Sequence, residues 1–311
     1  MKIIFMGTPE FAVPSLQALI SAGHEIPLVV TQPDRKGNRN KIIESPVKVC
    51  AIENNINVSQ PVRIRNDEDF INEIRNIAPD MIVVVAFGQI LPQSLLDIPK
   101  YGCLNVHGSL LPKLRGASPM QQSILEGLDE TGITIMRMDA GLDTGDMISK
   151  VSCNINGLTI EELSEKLSKL GSELLIKTVT EVFAGSSEYT KQDDSEATHT
   201  GLIKKTDGFT DFNEDAIELE RKIRAYHDWP CLYTYLDGLQ VKFYKAEVVS
   251  SNNSASDIGS ITQVEKDGFL VACKNDSLKI LELQIQGKNR MNAGDFMRGH
   301  KLSVGDRFGD K

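Results

Sequence analysis

What this chain of 311 residues lacks narrows its function before any motif is found. Its cysteines, Cys50, Cys103, Cys153, Cys231 and Cys273, are odd in number, widely spaced and never in a Cys-x-x-Cys step. That argues against a disulfide framework and against a zinc ribbon, and reduced buried thiols are the expectation. Long apolar runs are missing too, since nothing approaches the roughly 20 uncharged residues that a bilayer span requires. The apolar run after Lys2 is broken by Gly7, Pro9 and Glu10, which does not fit a signal peptide. A cytoplasmic chain without membrane contact is expected. Basic charge is also short: 34 Lys and Arg against 43 Asp and Glu give a net charge of −9, which argues against a general affinity for nucleic acid. A local basic patch stays open, because charges act within a Debye length of about 8 Å. His24, His199, His227 and His300 have no partner at metal-ligand spacing, so no metal is expected. Gly7 lacks the second and third glycines of a dinucleotide fingerprint, and a tight turn into a packing helix accounts for it.

What is present is an ordinary globular composition, 41% hydrophobic and 25% charged, at a length suited to two domains. Over the first 180 residues strand and helix patterns alternate. Strands are expected at 2–6, 26–31, 81–87, 102–106 and 133–138. Helices are expected after Pro9, over 66–77 with Asn66 as N-cap, over 118–126 and over 159–183. The uninterrupted apolar run from Met81 to Phe87 suits an inner parallel strand buried on both faces. Alternation of this kind implies an α/β fold with a doubly wound, mainly parallel sheet. From 184 to 211 the chain turns polar and reads as a linker with one ordered patch at Leu202 and Ile203. One helix over 218–227 follows. Short strands at 232–236, 241–249, 260–264, 269–273 and 279–284 then favour a small β-barrel.

The chemistry sits at Leu104-Asn105-Val106-His107-Gly108-Ser109-Leu110-Leu111-Pro112. Strand side chains alternate faces, so Asn105 and His107 point the same way at a strand's carboxyl end, where parallel sheets place their sites. The loop Gly141-Leu142-Asp143-Thr144-Gly145-Asp146, with Asp139 before it, can bring a carboxylate back over the sheet edge. An amide to polarise a carbonyl, an imidazole titrating near neutrality and a carboxylate to hold it suffice to move an acyl group onto an amine. No protein nucleophile is called for. Elsewhere Arg35-Lys36-Gly37-Asn38-Arg39-Asn40-Lys41 puts four cations into seven residues and reads as an exposed loop on the same sheet edge.

Five stretches together closely resemble the methionyl-tRNA formyltransferases: Gly7 to Pro14, Thr31 to Arg35, Ser45 to Lys48, Asn105 to Pro112 and Leu142 to Asp146. The similarity runs the length of the chain, Trp229-Pro230 included. The Asn/His/Asp set is shared by enzymes that use 10-formyltetrahydrofolate; the opening Gly-Thr-Pro-Glu-Phe-Ala-Val-Pro and the second domain single out the tRNA enzymes. The resemblance implies a Rossmann-like formyltransferase domain over 1–184, a linker over 185–206 and an OB-like barrel that binds tRNA over 207–311. It implies Asn105, His107 and Asp143 as catalytic residues, with Asn105 and His107 donating to the formyl oxygen and His107 shuttling the proton. Ser109, Leu110, Leu111 and Pro112 would serve the folate site, with Phe87, Gly88, Gln89, Ile90 and Leu91 lining the pterin pocket. Arg35, Lys36, Arg39 and Lys41 would meet the tRNA acceptor end, with Lys204 and Lys205 as further phosphate contacts; Arg39 best matches the family's key arginine. It implies 10-formyltetrahydrofolate as co-substrate, initiator Met-tRNA as partner and a monomer. Other readings are a formyltransferase for an amino-sugar nucleotide or another small amine, and a non-catalytic RNA-binding protein on the same fold.

Overall fold

The computed structural model describes residues 1–36 and 42–309. In chain order it runs β1 (Ile3–Gly7), α1 (Val13–Ser21), β2 (Leu28–Val30), β3 (Arg35–Lys36), β4 (Ile42–Ile43), α2 (Pro46–Glu53), β5 (Asn57–Ser59), α3 (Glu68–Ile77) and β6 (Met81–Val85). Next come α4 (Gln93–Leu96), β7 (Cys103–His107), β8 (Arg115–Gly116), α5 (Pro119–Leu125), β9 (Glu130–Arg137), β10 (Met147–Asn154), α6 (Ile160–Ala184) and β11 (His199–Thr200). The last part holds α7 (Ala216–Ala225), β12 (Leu232–Leu236), β13 (Leu239–Val249), β14 (Ile261–Val264), β15 (Phe269–Ala272), β16 (Ser277–Ile285), β17 (Met291–Asn292) and α8 (Ala293–Gly299). These elements form two compact units. One comprises 1–119, 130–154 and 164–200; the other comprises 120–129, 155–163 and the chain from 201 onward. No helix among the described residues is long and apolar enough to cross a membrane.

The first unit is built on a seven-stranded sheet in the order β10-β9-β7-β6-β1-β2-β5. The five strands from β5 to β7 are parallel, and β9 then runs antiparallel to β7. Every residue of β1 and β6 is buried, as strands covered by helices on both faces require. Strand order reverses between β1 and β6, and such a reversal opens a crevice at the strands' carboxyl ends. Gly7 stands at that point because nothing larger fits: a Cβ there would lie 2.9 Å from Ala12, Phe5 and the carbonyl oxygen of Val85. The helices start where their polar residues place them. Ser45 accepts from the N–H of Lys48 with Pro46 at the first turn of α2. Asp67, and not Asn66 as the sequence suggests, accepts from the N–H of Phe70 and caps α3. Asn66 ends a short 3₁₀ turn instead. Residues 190–200, read from sequence as linker, add to the first unit. Thr190 exchanges both backbone bonds with Met147 at 2.8 Å, and β11 pairs in parallel with β8.

The second unit is an antiparallel sheet, order β12-β13-β16-β15-β14 with β17 on β16. Alternate residues of β12 and β13 face a core with Phe212, Phe243, Phe269, Phe296 and Phe308. The tail bridges the two edge strands. Ile261 donates to the carbonyl of Asp306 (2.8 Å), Phe308 to Gly259 (2.8 Å) and Gly309 to Tyr235 (3.0 Å). This closes the sheet into the small barrel the strand spacing suggests. Leu202, in the patch expected to be ordered, is largely exposed outside any strand or helix.

Candidate active site

Strand β7 delivers Asn105 and His107 to one face, and the turn after β9 brings Asp143 over them. The Asn105 amide donates to Asp143 Oδ1 at 3.3 Å, and His107 Nδ1 stands 3.6 Å from Asp143 Oδ2. Asp143 Oδ2 also accepts the N–H of Gly116 at 2.9 Å. Three residues separated by up to 38 positions thus meet around one carboxylate. Asp139, the other candidate carboxylate, stays within its own loop and accepts from the N–H of Gly141 (3.0 Å) and the Thr144 hydroxyl (2.6 Å).

The imidazole is buried and its Nε2 lies 3.0 Å from the carbonyl oxygen of Leu114. A carbonyl only accepts, so Nε2 carries a hydrogen and Nδ1 is the nitrogen left to face Asp143. Nε2 is thereby committed to the Leu114 carbonyl, while Nδ1 stands 3.6 Å from Asp143 Oδ2, beyond hydrogen-bond range. Asn105 is half-buried, and its bond to Asp143 uses one of its two amide N–H groups. Cys103 shares the strand face of both residues, but burial pushes its thiol up to about 12, so no thiolate forms there near neutrality.

The loop from Gly108 to Gly116 is pinned from below. The Thr134 hydroxyl donates to the carbonyl of Ser109 (2.7 Å) and accepts the N–H of Leu111 (3.0 Å); the Lys150 ammonium donates to the carbonyl of Leu111. Ser109 and Leu111 are consequently interior, with the Ser109 hydroxyl spent on the carbonyl of Lys113 (2.6 Å). Leu110 and Pro112 keep part of their surface. After β6, Phe87 and Leu91 are core residues, Ile90 is exposed, and Gln89 braces the neighbouring loop through Ile64 N–H (2.9 Å) and the carbonyl of Pro61 (3.0 Å). The carbonyl of Phe87 takes the Gln32 amide (3.1 Å) and the Thr8 hydroxyl (3.4 Å). The backbone groups of Gly88, Gln89 and Ile90 make no hydrogen bond among the described residues. Gly88 and Ile90 are exposed, so these donors and acceptors are accessible from solvent.

Arg35 and Lys36 form the stem of a hairpin, paired with Ile43 and Ile42. Arg39 and Lys41 lie outside the described residues. The stem is anchored by Asp34, whose Oδ2 meets Lys48 Nζ at 2.5 Å and whose Oδ1 accepts from Gln60 at 2.9 Å. The Lys48 hydrogen bond, then that of Gln60, holds the Asp34 carboxyl below its ordinary 3.8. The contribution of this pair is therefore whole above the ordinary value and lost as pH falls through the lowered one. Amide exchange at Arg35 and Ile43 should accelerate only below the ordinary carboxylate range, and Asp34→Asn should accelerate it at neutral pH. Unchanged exchange in that variant would refute the anchor.

In the second unit Lys204 and Lys205 are exposed, Lys204 donating its N–H to Asp207 at 2.8 Å. Four further cations of this unit are paired internally: Lys222 with Glu214, Arg224 with Glu220, Arg290 with Glu282 and Arg298 with Asp295. The sequence reading missed Gly116, Leu114 and Thr134, whose parts here are played by backbone groups and a buried hydroxyl. Neither leaves a periodic signal.

The chain is by class a formyl transferase, with both domains of that family present. The family model for formyl transferase matches residues 1–179, and that for the formyl transferase C-terminal domain matches 202–301. The fold is shared with the N-formyltransferase of Helicobacter canadensis, TM-score 0.65 at 20% identity, over 90% of this chain and 98% of that one. Glycinamide ribonucleotide transformylase 1 from Symbiobacterium toebii aligns with 62% of this chain and 94% of its own, TM-score 0.53 at 16% identity. By sequence, the methionyl-tRNA formyltransferase of Geobacter sulfurreducens is 46% identical over 312 residues, covering 100% of this chain and 97% of the relative. That of Lachnospira eligens is 45% identical over the whole of both chains. The chain belongs to the methionyl-tRNA formyltransferase family.

Proposed function

We propose that the protein transfers the formyl group of 10-formyltetrahydrofolate to the free α-amine of methionyl-initiator tRNA, by direct attack of the amine, with Asn105, His107 and Asp143 as one catalytic unit. The observation that carries the residue assignment is their convergence at 3.3 and 3.6 Å around Asp143, at the carboxyl end of β7. The folate supplies a one-carbon unit at the oxidation level of formate, bonded to a nitrogen. Asn105 donates its second amide N–H to the formyl oxygen as negative charge gathers there. Asp143 takes the proton shed by the attacking nitrogen. His107 Nδ1 faces that carboxylate and shares the proton before it passes to the departing nitrogen. The free backbone groups of 88–90 and the exposed surface of Leu110 and Pro112 hold the pterin; Ser109 and Leu111 serve by shaping that loop from inside. The cationic stretch Arg35–Lys41, together with Lys204 and Lys205, meets tRNA phosphates, and the protein works as a cytoplasmic monomer.

The test is transfer of labelled formyl from 10-formyltetrahydrofolate to charged initiator tRNA, run beside elongator Met-tRNA and glycinamide ribonucleotide. Label on initiator Met-tRNA, with little on the other two, is the expected result. Transfer to the small amine alone, or no transfer at all, overturns the reading.

A further inference from the structure

Asp143 sits in a left-handed turn that the side chain of another segment spans. Its φ is +55°, in the left-handed region that aspartate enters more readily than most residues with a side chain. Two residues on, a Cβ at Gly145 would lie 1.8 Å from the carbonyl oxygen of Arg137, so the turn is pressed against the end of β9. What spans the turn is the side chain of Gln192. Its Nε2 donates to the carbonyl of Asp143 and to that of Gly145, both at 2.8 Å. Its Oε1 accepts from Arg115 Nε at 2.9 Å. Arg115 is itself buried and fixed: its N–H donates to the carbonyl of Thr198 (2.8 Å) and its guanidinium meets Asp194 at 2.8 Å. The next residue, Gly116, gives its N–H to the Asp143 carboxylate, and the preceding carbonyl, that of Leu114, holds His107 Nε2. One amide therefore ties the turn that carries the carboxylate to the loop that orients the imidazole.

We propose that Gln192 is a positioning residue, setting Asp143 against His107 and Asn105 through the backbone without touching any reacting group. The proposal rests on the reading of Asp143 as catalytic. An amide suits the position as no other side chain of this length does, because it donates two bonds and accepts a third in one plane. Glutamate would keep the partner of Arg115 and set a carboxylate against two carbonyl oxygens.

The experiment measures kcat and both KM values for the full chain as Gln192→Ala, Gln192→Glu, Asp143→Ala and the double variant Asp143→Ala with Gln192→Ala. Gln192→Ala should lower kcat about 10- to 100-fold and move either KM by less than about threefold. Gln192→Glu should fall at least as far while still folded at the assay temperature by circular dichroism, since its bond to Arg115 is kept, which keeps the test open where the alanine variant folds poorly. With Asp143 already removed, loss of Gln192 should cost less than about twofold more, because partners in one unit do not add. A full additional loss in the double variant, or parental turnover in Gln192→Glu, overturns the proposal. Parental turnover in Asp143→Ala would instead overturn the reading of the site on which it rests.

Discussion

Replacing Asn105 by alanine is expected to lower turnover about 100- to 1,000-fold, the range seen when one oxyanion donor is removed from an acyl-transfer site. The amide is the one member of the constellation with an N–H to spare, since His107 Nε2 is committed to the carbonyl of Leu114 at 3.0 Å. Folate affinity should stay within a few fold, because the proposed pterin groups belong to 88–90, Leu110 and Pro112, and Asn105 is not among them. Asn105→Asp should be at least as damaging, for it sets a second carboxylate where the first now receives an N–H at 3.3 Å. Steady-state kcat with separate KM values for folate and tRNA checks this. A kcat within twofold of the parent removes Asn105 from the catalytic unit.

Loss of one ring should have the largest effect on stability. Phe308 is 3% exposed and its ring lies 5.9 to 6.0 Å from those of Phe212, Phe243 and Phe269, stacked on the last. Its backbone N–H is also one of the bonds by which the tail closes the barrel. Phe308→Ala should therefore destabilise the second unit by about 3–5 kcal/mol, the usual cost of emptying a large aromatic from a core. Urea unfolding followed by far-ultraviolet dichroism would report it as an earlier transition. A change below about 1 kcal/mol would mean that the core does not depend on the tail.

The elements most legible in sequence are those whose pattern is set by burial alone. Met81 to Val85 is apolar because both faces of β6 are covered, and α3 shows its buried stripe at Phe70, Ile71 and Ile74. Strand β10 escaped notice because it is an edge strand. Its last six residues, Ser149 to Asn154, alternate between half-covered and exposed, so no apolar run marks it. Residues 190–200 escaped for a related reason: they hold to the first unit by backbone bonds and polar side chains, and composition reads such a segment as a linker. At the site, Asn105 and His107 could be paired from strand alternation alone. The choice between Asp139 and Asp143 could not, because a turn with a left-handed residue has no periodicity from which direction can be inferred. Whether either imidazole nitrogen was free depended on Leu114, seven residues away across the loop, and only coordinates reveal that.

The left-handed backbone at residue 143 sets durability against turnover. Holding a side-chain-bearing residue there costs about 1–3 kcal/mol, which glycine would relieve while giving up the bonds from Gly116 and Asn105 to the carboxylate. A lineage selected in the laboratory for heat tolerance alone would thus be free to exchange aspartate for glycine at this position, and to lose with it the proposed catalytic carboxylate. Only continued demand for formylated product keeps the less comfortable residue in place.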